Sequence, residues 1–434
     1  MTEAVLFFLY RILAVPMIRV TFFFGRFFNS KMKLGYEARK NQFSFIEKEL
    51  ETNAKGRKRI FFHASSVGES EQALPIIEKL KAANPDIYIV MSFFSPSGYN
   101  FLKKNPLVDL KIYLPLDTHR NAKRLFALIK PELWCISKFD IWPNHLRAAA
   151  SLNIPIVLTA ATLSENSGRD KGLAGLFNKT FYKYFDLIFP ISDDDAKRFL
   201  RLYPFPEKIH MTGDTRFDQV FIKAMKVEKA GNVKIFKNEG GIVFIGGSIW
   251  PADEKHLLPA FTNIMNKHPE LRAILVPHEL HESHLLDIES ALANAGLESE
   301  RFTQFEKQGG TEKRIAIVNT VGMLARIYMQ TDLAYIGGSF SSGVHNVMEP
   351  AVFGQPVLFG PIYKNSFEAC ELIKLGSAFP TENTQQIEDI LDKLITDNTF
   401  RTQAGQKAKD LIQHNLGATE RIYEYLKQSY DFIS

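Results

Sequence analysis

The sequence predicts two doubly wound α/β domains joined near residue 230, with a membrane-associated helix in front of them. Short apolar runs alternate with amphipathic stretches along most of the chain, which is the βα rhythm of a parallel sheet. One polar stretch, about Lys226 to Gly240, interrupts that rhythm, and a Phe-rich segment opens the chain. At 434 residues the chain is long for one core and comfortable for two.

From Ala4 to Phe28 the residues are mostly Phe, Leu, Ile and Val, interrupted by Arg11, Arg19 and Arg26. No uncharged run reaches the roughly 20 residues that span a bilayer. At about 100° per residue, the three arginines and Lys33 of a helix fall within an arc of roughly 80°, opposite a wide apolar face. That pattern suits a helix lying in an anionic membrane surface. A tilted span and a helix buried between domains are the alternatives. Both sheets begin later, so residues 1–28 are expected to be separable from the fold. The predicted boundaries are a helix at 1–30, a first domain at 31–225, a linker at 226–240, a second domain at 241–415 and a C-terminal helix at 416–434.

The first domain's strands are read at Arg59–Phe62, Ile87–Met91, Lys111–Leu114, Leu133–Ile136, Ile154–Leu158 and Leu187–Pro190. Those of the second are read at Ile242–Ile245, Arg272–Val276, Ile315–Val318, Leu333–Ile336 and Pro356–Phe359. In such folds the crevice at the carboxyl ends of the strands is the default ligand site.

Composition excludes several classes. The net charge of +5 is small and dispersed, which argues against nucleic acid as a partner. Two cysteines far apart suit a reducing compartment. His278, His281 and His284 lack the spacing of a zinc site, and no metal cofactor is expected.

Candidate site residues follow the strand ends. After the first strand, His63-Ala-Ser-Ser66-Val-Gly68-Glu69 turns into a helix. Glu69 there is a general base or a first-turn carboxylate complementing the helix dipole. Ser66 and Gly68 in this turn, with Asp140 after the fourth strand, are the acceptor-side candidates. Arg216 in Thr212-Gly-Asp-Thr-Arg-Phe-Asp218 is long enough to reach a phosphate. Ser248, in a second strand-to-helix turn, suits an anion, and His278 ends a strand as a ligand contact or a structural histidine. The richest stretch runs from Gly337 to Pro361. Its glycines, with Gly338 and Ser339 among them, let backbone approach a ligand or simply pack. His345 and Asn346 open a helix expected over Val347–Phe353, whose Glu349 is placed to accept from ribose hydroxyls.

Taken in order, these blocks resemble the 3-deoxy-D-manno-octulosonic acid (Kdo) transferases: His63-Ala-Ser-Ser-Val-Gly-Glu69, Asp140-Ile-Trp-Pro-Asn144, Thr212–Asp218, Gly337-Gly-Ser-Phe340 and His345-Asn346…Glu349-Pro350. The resemblance implies a GT-B fold, CMP-Kdo as donor, a lipid A precursor as acceptor, Glu69 as base, nucleotide in the second domain, and attachment to the cytoplasmic face of the inner membrane. The chain departs from the family where Ala160-Ala-Thr162-Leu-Ser164 replaces Asn-Ala-Arg-Leu-Ser and where His278-Glu279-Leu280 replaces Arg-His-Pro. Asp140 and Arg216 stand where glutamate and lysine are usual. Two rival readings remain: another GT-B enzyme using UDP-sugars, either a transferase or a 2-epimerase, and a non-catalytic nucleotide-sugar-binding membrane protein.

Overall fold

A computed structural model of the chain describes residues 3–101, 105–163, 168–238 and 240–433. Ser164 of the departing block lies outside the described residues. The chain forms two compact units, Met1–Gln219 with Leu416–Ser434, and Val220–Asn415.

The first unit is built on six parallel strands: β1 (Arg59–Ala64), β2 (Tyr88–Phe93), β3 (Leu110–Tyr113), β4 (Leu133–Ser137), β5 (Ile156–Ala161) and β6 (Leu187–Pro190). Their order is β3-β2-β1-β4-β5-β6, so strand order reverses between β1 and β4. The turns after those two strands, carrying Glu69 and Asp140, therefore leave the sheet side by side at the switch point. Strand residues alternate between two buried faces. Phe61 and Trp134 stack at 5.8 Å on one, while Ile60, Phe62 and Ala64 face the other. That second face is covered by Ile422 and Leu426 of the helix Ala418–Ser429. Each such fully buried side chain contributes about 1.5–3 kcal/mol. Asp218 fastens the helix by accepting from Gly417 N and Thr419 N, both at 2.6 Å. The segment read as a separate C-terminal helix, 416–434, thus belongs to the first unit.

The second unit has seven parallel strands: β7 (Val243–Ile249), β8 (Arg272–Pro277), β9 (Ser299–Arg301), β10 (Ile315–Ile317), β11 (Leu333–Ile336), β12 (Val357–Phe359) and β13 (Ala378–Pro380). The order is β13-β12-β11-β7-β8-β10-β9, which places the turns after β7 and β11 next to each other. The edge strands β9 and β13 escape sequence reading. Each has three residues, one all polar and one ending in proline, and neither shows an apolar pattern.

Three expectations are corrected here. The helix Thr215–Ala230 runs through the unit boundary at residue 219, so residues 226–230 are helical rather than linker. The helix expected at Val347–Phe353 is only Met348–Ala351. The N-terminal segment is helical from Glu3 to Phe28, but a π turn at Tyr10–Ala14 shifts its phase, and Lys33 lies on the next helix, Ser30–Lys40. The single stripe of four cations is therefore lost. The segment also packs on the first unit. Leu6 and Phe7 are buried, Phe7 touches Phe181, the Tyr10 hydroxyl donates to Asp117 at 2.8 Å, and Phe22 packs on Phe94 at 5.5 Å. These contacts hold the helix along the unit and turn Phe8, Leu13, Met17, Phe24, Phe27 and Phe28 outward. The helix is long and apolar enough to cross a membrane, and little of it is buried.

Candidate active site

The turn after β1 brings a buried carboxyl group, Glu69, beside a half-buried one, Asp140 from the turn after β4. Ser66 caps the helix Val67–Ala83, its hydroxyl accepting from Glu69 N at 3.4 Å and donating to Glu69 Oε1 at 3.1 Å. Ser65 bridges the pair: its N–H donates to Glu69 and its hydroxyl to Asp140. His63 Nε2 lies 3.3 Å from Asp140, and its Nδ1 meets Ser92 Oγ at 2.8 Å. The two carboxyls are driven apart. Burial, then the charge of Asp140, pushes Glu69 above the ordinary carboxylate range. Burial works to raise Asp140 too, but hydrogen bonding and charge from His63, with the Ser65 hydroxyl, hold it below that range. Such splitting assigns proton transfer to the group poised nearer neutrality and charge stabilisation to its neighbour. Gly68 is different from most glycines in the chain: a Cβ there would meet nothing within 4 Å. No neighbour in the protein requires glycine at that spot, which leaves room for close approach by a ligand.

Also in the first unit, Arg216 is held by Asp214, which accepts from its Nε at 3.0 Å and its Nη2 at 2.7 Å. Asp214 is buried and accepts from Gln72 as well.

In the second unit Ser248, His278 and His345 come together. Ser248 is not in a strand-to-helix turn, however. It sits inside β7 at a bulge with φ +53°, a left-handed conformation rare for serine, and so presents its hydroxyl to both histidines. Oγ lies 2.9 Å from His345 Nδ1 and 3.0 Å from His278 Nδ1. Trp250 completes the group, stacking on His278 at 4.0 Å and donating Nε1–H to His345 Nε2 at 3.2 Å. An indole N–H only donates, so His345 Nε2 must be the acceptor. His345, whose pKa is lowered by burial and by His278, is neutral with its proton on Nδ1. It donates to Ser248, whose oxygen also lies within hydrogen-bond distance of Nδ1 of the exposed His278 ring.

Of the two expectations for the glycine turn after β11, ligand approach and packing, the structure shows the second: the anion that the Gly338 and Phe340 amides hold is the protein's own Asp253. This fully buried carboxylate accepts from Gly338 N at 2.7 Å, Phe340 N at 3.3 Å, Trp250 N at 3.0 Å and the Tyr335 hydroxyl at 3.2 Å. Gly337 N donates to Gly247 O, and the amides of Ser341, Ser342 and Gly343 all turn back to Gly338 O. Ser339 is fully buried, with its hydroxyl accepting from Gly360 N at 2.5 Å. Gly338 and Ser339 therefore brace the turn through bonds within the protein. The glycines answer to packing: a Cβ on Gly337 would lie 2.1 Å from Ser248 O, and one on Gly338, at φ +95°, would strike the His345 ring. Asn346 Oδ1 accepts from Met348 N at 3.0 Å, an Asx turn just before the short helix. Glu349 forms an ion pair with Lys223.

His63, Ser65, Trp250 and Asp253 were not among the sequence candidates. Period-two spacing pairs His63 with Ser65 and Ser248 with Trp250 on common faces, and Asp253 is at the third position of the helix Pro251–Lys267.

Two parallel-sheet units with functional groups at both switch points define the GT-B class of nucleotide-sugar enzymes. The fold is similar to that of UDP-GlcNAc 2-epimerase from Neisseria meningitidis, with TM-score 0.60 and 14% identity over 85% of this chain and 100% of that one. A second 2-epimerase, from Listeria monocytogenes, gives TM-score 0.58 at 12% identity over 87% and 97%. A sequence profile of the family described as 3-deoxy-D-manno-octulosonic-acid transferase (kdotransferase) matches residues 37–219. A probable mitochondrial 3-deoxy-D-manno-octulosonic acid transferase of Arabidopsis thaliana is 30% identical over 82% of this chain and 81% of its own length. The 3-deoxy-D-manno-octulosonic acid transferase of Haemophilus influenzae is 26% identical over 85% and 86%. The chain belongs to the Kdo transferase family and is a glycosyltransferase.

Proposed function

We propose that this protein transfers Kdo from CMP-Kdo to a lipid A precursor, at the cytoplasmic face of the inner membrane. The carrying observation, within a family of Kdo transferases, is the split pair: Glu69 held high beside Asp140 held low. Glu69 takes the proton of the acceptor hydroxyl as its oxygen attacks the anomeric carbon of Kdo. The bond from that carbon to the phosphate oxygen breaks, CMP leaves with the electron pair, and configuration inverts. A positioned base of this kind is worth typically 10²–10⁴-fold. Because the Gly338, Phe340 and Trp250 amides are committed to Asp253, the charge on the leaving phosphate falls to His278 and the Ser248 group, with Arg216 as the cationic candidate. The outward Phe stripe lies in the membrane surface and brings the enzyme to a lipid that stays in the bilayer.

The test is CMP release from CMP-Kdo in the presence of a lipid A precursor. It should proceed undiminished in EDTA, since the side chains in these roles need no metal. Loss in EDTA with recovery on adding a divalent ion overturns the metal-free reading. UDP raising the melting temperature where CMP does not would instead favour the UDP-sugar rival.

Glu349 supplies a further prediction. In the nucleotide role it accepts from ribose hydroxyls, and losing a charged acceptor costs roughly 1.5–3 kcal/mol. Glu349→Ala should weaken CMP binding at least about tenfold by calorimetry. Lys223→Ala, which removes only the ion-pair partner, should weaken it less. Equal losses in the two variants would make Glu349 a structural partner of Lys223.

A further inference from the structure

Away from both strand-end sites, the first unit holds a cavity of about 690 Å³ beside the N-terminal helix. One wall is basic. Arg19 comes from the N-terminal helix, Arg120 and Arg124 from successive turns of the helix His119–Ile129, and Lys40 closes the set. No aspartate or glutamate lines it. Lys40 is tied to Glu37 at 2.8 Å, and Arg39 is spent on the carbonyls of Gly35, Phe94 and Leu114. Arg124 lies over the Phe43 ring, and Arg120 and Arg124 are both exposed. Gln42 lines the same cavity, buried to 7% exposure, and neither end of its carboxamide has a hydrogen-bond partner within the protein.

The other wall is apolar. Val20 and Phe23 line the cavity and are themselves 54% and 41% exposed, so its lining runs without a break into the outward apolar face of the helix. A small inorganic anion would use the cations and waste the apolar wall. A phosphate carrying acyl chains uses both, with the headgroup between the arginines and the chain leaving along Val20 and Phe23. We infer that this cavity is a site for one anionic glycerophospholipid of the surrounding membrane, held by Arg19, Arg120 and Arg124 through its phosphate. Such a lipid would seat the helix at the membrane surface at a defined depth, which diffuse attraction of scattered cations does not do.

The experiment uses the full chain in nonionic detergent, titrated with dihexanoyl phosphatidic acid, dihexanoyl phosphatidylcholine and inorganic phosphate by calorimetry. Saturable one-to-one binding of the phosphatidic acid is expected, tighter than either of the other two. R120Q/R124Q should weaken it at least about tenfold, while R11Q, which removes an exposed cation of the same helix outside the cavity, leaves it unchanged. CMP binding and the melting temperature should be retained in both variants, separating loss of the lipid site from loss of fold or of the transferase reading. If the double variant melts early, R120Q alone decides. The inference fails if inorganic phosphate binds as well as the lipid, if R11Q costs as much as the double variant, or if R120Q/R124Q binds like the wild type. It fails also if a lipid A precursor displaces the probe competitively, which would give the cavity to the substrate.

Discussion

Glu69→Gln should lower turnover at least about a hundredfold while leaving CMP affinity unchanged. The substitution preserves shape: the glutamine carbonyl still accepts from Ser65 N and its amide still reaches Ser66 Oγ. Only the proton-accepting capacity is removed. Because burial and Asp140 push the Glu69 carboxyl up, its ionised form is disfavoured in the folded protein. The sign follows for stability. A carboxyl raised on folding costs stability above its unfolded pKa, so removing the charge should leave the melting temperature equal or higher at neutral pH. The same shift sets the pH profile. The wild-type rate should fall on acidification along a limb lying above the ordinary carboxylate range, and that limb should vanish in the residual activity of the variant. Near-normal turnover with a normal melt would remove Glu69 from the chemistry.

Asp253→Asn should unfold or strongly destabilise the second unit, although the two side chains are nearly the same shape. Both oxygens of Asp253 face donors: Gly338 N and Trp250 N at one, Phe340 N and the Tyr335 hydroxyl at the other. Whichever way the asparagine turns, its NH₂ meets an N–H or O–H, and at least one buried donor is left without an acceptor. Each such orphan costs about 1–3 kcal/mol, and bonds to a charged acceptor are the stronger kind. A loss of roughly 3 kcal/mol or more is expected, read as a lower melting temperature and a collapse of CMP binding. Asp253→Ala should be no worse by much. A D253N protein that melts and binds CMP like the wild type would mean that the turn is organised by something other than this carboxylate.

Much of the architecture was legible because burial on both faces leaves a mark. The six strands of the first sheet and five of the second are short apolar runs, and each was found within a few residues of its place. The edge strands carry no such mark. At the site, Glu69, Ser248 and His278 are candidates because parallel strands deliver their carboxyl ends to one side, and His345 because it follows a glycine-rich turn. At Gly338 and Ser339 the sequence leaves two readings open for a physical reason: a glycine turn that cradles an external anion and one that cradles an internal carboxylate have the same local sequence. Only the fold reveals that residue 253 reaches the nest at residues 338–340.

The sequence by itself determined the class, two βα-built domains carrying the motif order of the Kdo transferases, because periodicity and strand-end residues are local properties. Tertiary structure alone decided which groups touch. It split Glu69 from Asp140 through burial, His63 and Ser65, and it brought Trp250, His345, Ser248 and His278 into one hydrogen-bonded and stacked group. It also folded the C-terminal helix back onto the first unit and laid the N-terminal helix along it. Those outcomes depend on side chains tens to hundreds of residues apart sharing a low-dielectric space, and no local pattern in the chain encodes that proximity.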